Sequence, residues 1–317
     1  MRTLPVWRWC MVGLVVVAGS GGARAGAAAT LRWKLQPGET LHYVMEQKTN
    51  TAVKGGLQEV KSTISQTIDM DWTVKEVGAD GQASMTQTIT RVRTRIESAA
   101  GAFVFDSNEA KDPVGPIAGN LAPLLRALVG AEFAFKMSPE GELIDIKVPE
   151  KVLESLKKTG AVGGAAGMFS EEGMKNMVSE SSLALPKEDL AKGKGWTRQT
   201  KIPMPPLGSM TLDKNYSYEG AETKDGKELD RIKLVTKVDI QLNPANDLEM
   251  KIQGQDGQGT IFFDNTRGRI VESSVSEKLE MIFKLKAAGQ EQEMSQNNET
   301  STTMKLVKAG AAEPSKK

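Results

Sequence analysis

Residues 60–74 read VKSTISQTIDMDWTV. Val60, Ser62, Ile64, Gln66, Ile68, Met70, Trp72 and Val74 share one parity, and Lys61, Thr63, Ser65, Thr67, Asp69, Asp71 and Thr73 share the other. Successive side chains of a strand point to opposite faces, so alternation of this length predicts one long strand with a buried and a wet face. Asp80-Gly81 follows as a favoured hairpin pair. The return strand then turns Met85, Ile89, Val92 and Ile96 inward. The odd step from Ile89 to Val92 needs an extra residue, which predicts a β-bulge at Thr90 or Arg91. Counting back through the turn sets Arg91 opposite Asp69, a cross-strand pair worth about 0.2–1 kcal/mol.

The same grammar extends in both directions. Leu41, Tyr43 and Met45 alternate with His42, Glu46 and Lys48, and the strand runs on toward Val53. Further on, Ile232, Leu234, Thr236, Val238, Ile240 and Leu242 alternate with Arg231, Lys233, Val235, Lys237, Asp239 and Gln241 behind a second hairpin pair, Asp225-Gly226. Ile261–Asp264 and the run Val271, Val275, Leu279, Met281 and Phe283 form another long pair, and polar 294–306 reads as a last strand at an edge. Between these β-rich stretches the period changes. Pro116–Val129 reads as an apolar helical segment interrupted at Pro123, and residues 132–148 as a hairpin turning at Ser138-Pro139-Glu140-Gly141. Pro149 suits the first residue of a helix through Lys158. Gly160–Gly167 is a small-residue stretch, and Ser170-Glu171-Glu172 opens a further helix through Met174, Met177 and Val178. Ile202–Pro206 is extended and unsuited to a central strand.

Residues 1–25 are a different text. Arg2 and Arg8 precede the apolar run CMVGLVVVAG, and Ala23 and Ala25 supply the small residues of a cleavage point. That is the order of a secretory signal peptide, and the apolar run is too short to span a bilayer. A periplasmic or extracellular location is therefore expected, with no stable membrane span after cleavage. Cleavage would remove Arg2, Arg8, Arg24 and the single cysteine, Cys10, leaving a slightly acidic chain without thiol chemistry or disulfides. The remaining divisions are a first β lobe over 30–113, a helix-containing insertion over 114–190, a second β lobe over 191–308 and a tail over 309–317. Residues 30–308 are expected to form one domain. The fold class is mainly β (β-rich α+β): long antiparallel hairpins making a curved sheet or half-barrel, with a helical insertion in the middle.

Four stretches carry a family resemblance: LRWKLQPGETLHYVMEQ at residues 31–47, IDMDWTVKEVGADGQASMTQTITRVR at 68–93, VGAEFAFKMSPEGELIDIKVP at 129–149 and GTIFFDNTRGRIVES at 259–273. They resemble a family of exported bacterial proteins known only as a domain of unknown function. The resemblance implies export and one extended β-rich domain. It brings no catalytic residues.

Composition narrows the chemistry. With 41 basic and 40 acidic residues the chain lacks the positive excess of a nonspecific nucleic-acid binder, and no nucleic-acid partner is expected. His42 is the only histidine, so any triad or imidazole metal site would have to use it, and it falls on a wet strand face. Asp69 and Asp71 share a face and would suit a carboxylate-dependent hydrolase, the alternative function, but Arg91 lies on that face too. The outward row Arg91, Arg93 and Arg95 is either an ion-paired surface or a site for an anionic polymer or lipid head groups. Gly160–Gly167 lacks the Lys-Ser/Thr ending of a phosphate loop, and no cofactor is expected.

Methionine is the more suggestive feature, 15 residues against 8 Phe and 3 Tyr. Its flexible thioether suits an adaptable apolar surface as well as an ordinary core. Met45, Met70, Trp72, Met85 and Met281 on inward strand faces, with Leu124 and Leu125 on the first helix, are the candidate apolar lining. The function expected is non-enzymatic: binding of an apolar, lipid-like small molecule on a concave sheet face, or interaction with an envelope component. A structural envelope role is the third reading.

Overall fold

The computed structural model describes residues 28–55, 58–99, 101–115, 118–159, 170–204, 207–244, 248–287 and 290–308. The signal-peptide, tail and Gly160–Gly167 readings lie outside the described residues. In chain order the elements are β1 (Thr40–Gly55), β2 (Gln58–Val77), β3 (Ala83–Ser98), β4 (Gly101–Asp106), α1 (Ala118–Leu128), β5 (Glu132–Met137), β6 (Leu143–Lys147), α2 (Glu150–Thr159), α3 (Glu171–Glu180), β7 (Gly195–Met204), β8 (Gly208–Lys224), β9 (Lys227–Leu242), β10 (Leu248–Asp264), β11 (Arg269–Ala287) and β12 (Gln290–Val307). The expected mainly-β architecture is the observed one.

All strands belong to one sheet, ordered β6-β5-β3-β2-β1-β12-β11-β10-β9-β8-β7, with β4 added to the outer part of β3. Every pairing between these strands is antiparallel. The ladder does not close. Its two edges, β6 and β7, both contact α3, so the sheet curls until one helix bridges the gap.

Several local expectations hold at residue level. Asp69 pairs with Arg91 and Met70 with Ile89, which leaves Thr90 as the bulged residue. Asp225 and Gly226 both have positive φ, 50° and 74°, as a two-residue hairpin of this twist demands. Ser170 caps α3 by accepting from the Gly173 N–H at 3.0 Å. Two expectations fail. Residues 294–306 do not form an edge: β12 lies between β1 and β11 and joins the two lobes into one sheet. Its polarity fits an inner face that has no apolar cover among the described residues. Nor does Pro123 interrupt α1, which runs through it. Pro123 is the sixth of its eleven residues, so the ring removes the bond to the Gly119 carbonyl at a cost that the helix meets through its packing.

The core fills one half of the sheet's inner face, called here the near half. The segment preceding β1 crosses it. Trp33 is buried, stacks on Trp72 of β2 with centroids 6.0 Å apart and meets Phe263 of β10 edge-on at 5.7 Å. Its indole N–H donates to the Leu183 carbonyl at 3.0 Å, and Lys34 N–H donates to the Gly268 carbonyl at 3.1 Å. One residue thus ties both lobes to the segment that follows α3. Tyr43 completes the tie by donating to the Ile270 carbonyl at 3.0 Å across the inner face.

Replacing Trp33 by Ala leaves a cavity between the lobes with little to collapse into it. We expect a loss of about 3–5 kcal/mol in urea unfolding. A loss below about 1 kcal/mol would show that the lobes are held together elsewhere.

Candidate functional site

Strand length sets the site. β2 has 20 residues and β11 has 19, while α1, α2 and α3 have 11, 10 and 10. At about 3.3 Å per strand residue and 1.5 Å per helical residue, the strands reach about 65 Å and each helix about 15 Å. The burial pattern follows. Along β2, Val74, Trp72 and Met70 are buried, Ile68 and Gln66 are half-buried, and Ile64 and Val60 are 39% and 52% exposed. The alternation is the expected one, but the apolar face loses its cover toward the β1–β2 turn.

On the other side of the sheet this far half carries an apolar wall. Register places Met210 opposite Ile240 and Leu212 opposite Val238 on β8 and β9, and Met250 opposite Phe283 and Ile252 opposite Met281 on β10 and β11. These side chains are half-buried, apart from buried Met281. Beside them runs an uncharged polar strip on β12 and β1. Thr49 and Thr300 share a hydrogen bond of 3.1 Å, Thr51 donates to Asn298 at 2.9 Å, and Gln47 faces Thr302. The far half is thus a trough with one apolar wall and a hydrogen-bonding floor.

Two devices shape it. On β10, Gly257 lets the Thr236 side chain cross the strand and donate to Glu277 of β11 at 2.9 Å. A Cβ at Gly257 would lie 1.8 Å from the Thr236 hydroxyl. At its margin α3 is anchored to β7 and β8. The Glu180 carboxylate takes Thr200 at 2.5 Å, Arg198 at 3.9 Å and a close ion pair with Lys214. Burial pushes the Glu180 carboxyl up, but Lys214, Thr200 and Arg198 together outweigh it and hold the group below its ordinary value.

The sequence-derived lining separates into two sets. Met70, Trp72, Met85, Leu124 and Leu125 are sealed in the near-half core, at 4%, 0%, 2%, 4% and 5% exposure. Met45 is partly buried at the core margin, and Met281 sits on the far wall. The rest of that wall was readable as strand alternation but not as a site. The available signal was the excess of strand length over helix length.

The outer face is ionic. A groove of about 1020 Å³ runs over β1, β2, β3 and β12, and His42, Asp69, Asp71 and Arg93 are among its lining residues. His42 Nδ1 lies 2.7 Å from Asp71, directly across the strand pair, and Arg93 donates to Asp69 at 3.0 Å. Arg91 faces Asp69 in register as expected, but its guanidinium instead grips Asp106 of β4 through two bonds of 3.1 and 2.6 Å. That grip raises the Arg91 pKa and lowers that of Asp106. β4 is the strand that sequence alternation missed. Arg95 is paired with Glu97. Both carboxylates that the hydrolase reading needs are thus engaged by separate side chains, Asp69 by Arg93 and Asp71 by His42, and among the described residues no three His, Cys, Asp or Glu side chains converge on a metal position. No described helix is long and apolar enough to cross a membrane.

A family model described as "Family of unknown function (DUF6263)" matches residues 80–270. No curated protein matches the chain. Among solved structures, one titled "Lipid-protein interactions in lipovitellin" aligns over 90% of this chain and 27% of its own, at 13% identity and a TM-score of 0.43. The chain thus spans about a quarter of that relative's length. DynF from the dynemicin biosynthesis pathway of Micromonospora chersina aligns over 90% of this chain and 89% of its own, at 8% identity and a TM-score of 0.20. An outer membrane channel from Pseudomonas putida F1 aligns over 86% and 97%, at 9% and 0.23. Likenesses this weak carry neither fold nor function to this chain.

The Glu180 anchor makes a pH prediction. A carboxyl held below its ordinary value of 4.5 contributes stability above that pH and loses it as the pH falls through the folded-state value. Amide protection of α3 in hydrogen exchange is expected to drop on acidification below pH 4.5. Glu180→Gln should lower protection at pH 7 and flatten its pH dependence. Equal acid profiles for the two proteins would contradict the anchor.

Proposed function

The chain belongs to this family of unknown function, and we propose that it is an exported, non-enzymatic binding protein that holds an apolar, lipid-like molecule in the far-half trough. The observation that carries this reading is the wall of Leu212, Val238, Ile240, Ile252 and Phe283, half-buried on the inner face of a curled sheet without an apolar layer above it among the described residues. Contiguous exposed apolar surface rimmed by polar groups marks binding rather than packing. Burying a methylene group there is worth about 0.8 kcal/mol. An alkyl chain lying along the wall, with its polar end toward the Thr49, Thr51, Asn298 and Thr300 strip, would satisfy both surfaces. The basic, apolar and small-residue order of residues 1–25 supports export.

The test is displacement of a fluorescent fatty-acid probe, together with native mass spectrometry of protein taken from its own envelope. Probe binding is expected to weaken about tenfold or more in Leu212→Asp and Ile240→Asp, because an unpaired carboxylate would be buried against the chain. Val104→Asp, on the outer face, should leave it unchanged. Absence of any bound apolar mass together with no probe binding would remove the reading.

A further inference from the structure

The trough has a carboxylate at the end where it meets the core. Glu277 of β11 is half-buried and follows Val275, which packs against the near-half core. By the two-residue period Leu279, Met281 and Phe283 come next on the same face and lead into the far wall. Register places Thr300 of β12 on one side of Glu277 and Gly257 of β10 on the other. Thr300 is the residue that bonds Thr49 in the polar strip. The carboxylate therefore stands where the apolar wall, the polar strip and the core come together.

Its orientation is built into the strands. Thr236 of β9 is buried and reaches over Gly257 to donate to Glu277 Oε1 at 2.9 Å. Any side chain at Gly257 would block that path, since its Cβ would lie 1.8 Å from the Thr236 hydroxyl. A glycine within a strand weakens it and marks a close approach, and here the approaching group is the hydroxyl that fixes the carboxylate. What the site lacks is a cation. Four other part-buried carboxylates, Glu39, Asp106, Glu180 and Glu272, are met by Arg269, Arg91, Lys214 and Lys224 respectively. Among the described residues no lysine or arginine pairs with Glu277, and its neighbours on the same face, Val275, Leu279, Gly257 and Thr300, are uncharged.

We propose that the ammonium head of a long-chain amphiphile supplies the missing charge, so that the far-half trough selects a cationic head over a carboxylate. This rests on the reading of the trough as the ligand surface. A half-buried carboxylate without a counter-ion is costly, and a positively charged N–H donor forms the stronger, charge-assisted kind of hydrogen bond with it. An ammonium has three donors and no acceptor. One donor would go to Glu277 and the others to the side-chain oxygens of Thr300 and Asn298 in the strip, the β12 partners of Glu277 and Leu279. A carboxylate head in the same place would meet a like charge.

Dodecylamine and dodecanoate carry the same chain and differ at the head. Each is titrated into the full chain by calorimetry at pH 7, below its critical micelle concentration. Both are expected to bind, because the wall is common to both, and the amine about tenfold or more tightly. Glu277→Gln keeps an acceptor for Thr236 and removes the charge, so the preference should vanish. Glu280→Gln makes the same change of net charge at an exposed outer position and should leave the preference intact. If Glu277→Gln fails to fold, the native chain and Glu280→Gln decide. Binding of neither compound would remove the trough reading itself. Equal affinities in the native chain, a preference that survives Glu277→Gln, or one that is lost in Glu280→Gln would overturn this inference and leave that reading standing.

Discussion

A strand about 65 Å long cannot be covered by helices about 15 Å long, and the rest of the structure follows from that mismatch. The described segments outside the sheet build one core, in the near half. The pre-β1 segment, α1, α3 and the segment that follows α3 converge there around Trp33 and Trp72. In the far half the same alternating strands continue with their apolar parity intact and, among the described residues, no layer above them. A soluble sheet would ordinarily put polar residues on such a face. This one does so on β12 and β1, where Thr, Asn and Gln bond to one another across the strands. It keeps Leu, Ile, Val, Met and Phe on β8 to β11. The division of the far half into a polar strip and an apolar wall is the feature that a purely structural sheet does not require.

The two faces of the sheet divide the chemistry between them. Outward positions pair across strands: His42 hydrogen-bonds with Asp71, and Arg93 with Asp69 and Lys278 with Glu299 form ion pairs. Exposed pairs of this kind contribute little each. Among the described residues, inward positions carry the Glu277 carboxylate, which accepts from Thr236, and the Glu180 cluster, which holds α3 across the gap between β6 and β7. The helix stands where a closed barrel would have its missing strand.

Much of this was legible in the sequence because it is local. Alternation in 60–74, the odd step that demands a bulge at Thr90, the Asp225-Gly226 turn and the Ser170 cap are set by neighbouring residues and were found at their positions. What alternation cannot give is which strands become neighbours. The β1–β12 pairing joins residues over two hundred positions apart, so β12 read as an edge when it is central. The same gap hid β4, whose Asp106 draws Arg91 away from Asp69. It also hid the site. Parity identified the inward side chains correctly, but whether they are covered depends on where the three described helices land. Met70, Trp72 and Met85 are therefore core residues, whereas Val238 and Ile240, on strands of the same pattern, form an open wall.

The central claim, that the far-half wall is the ligand surface, is tested most directly by photocrosslinking with a diazirine-bearing fatty acid and mapping the labelled residues by mass spectrometry. The account predicts labels on β8 to β11 in the far half, at Leu212, Ile240, Ile252 and Phe283, with the near-half core unlabelled. Labelling confined to the outer groove around His42 and Arg93, or spread evenly over the surface, would contradict it.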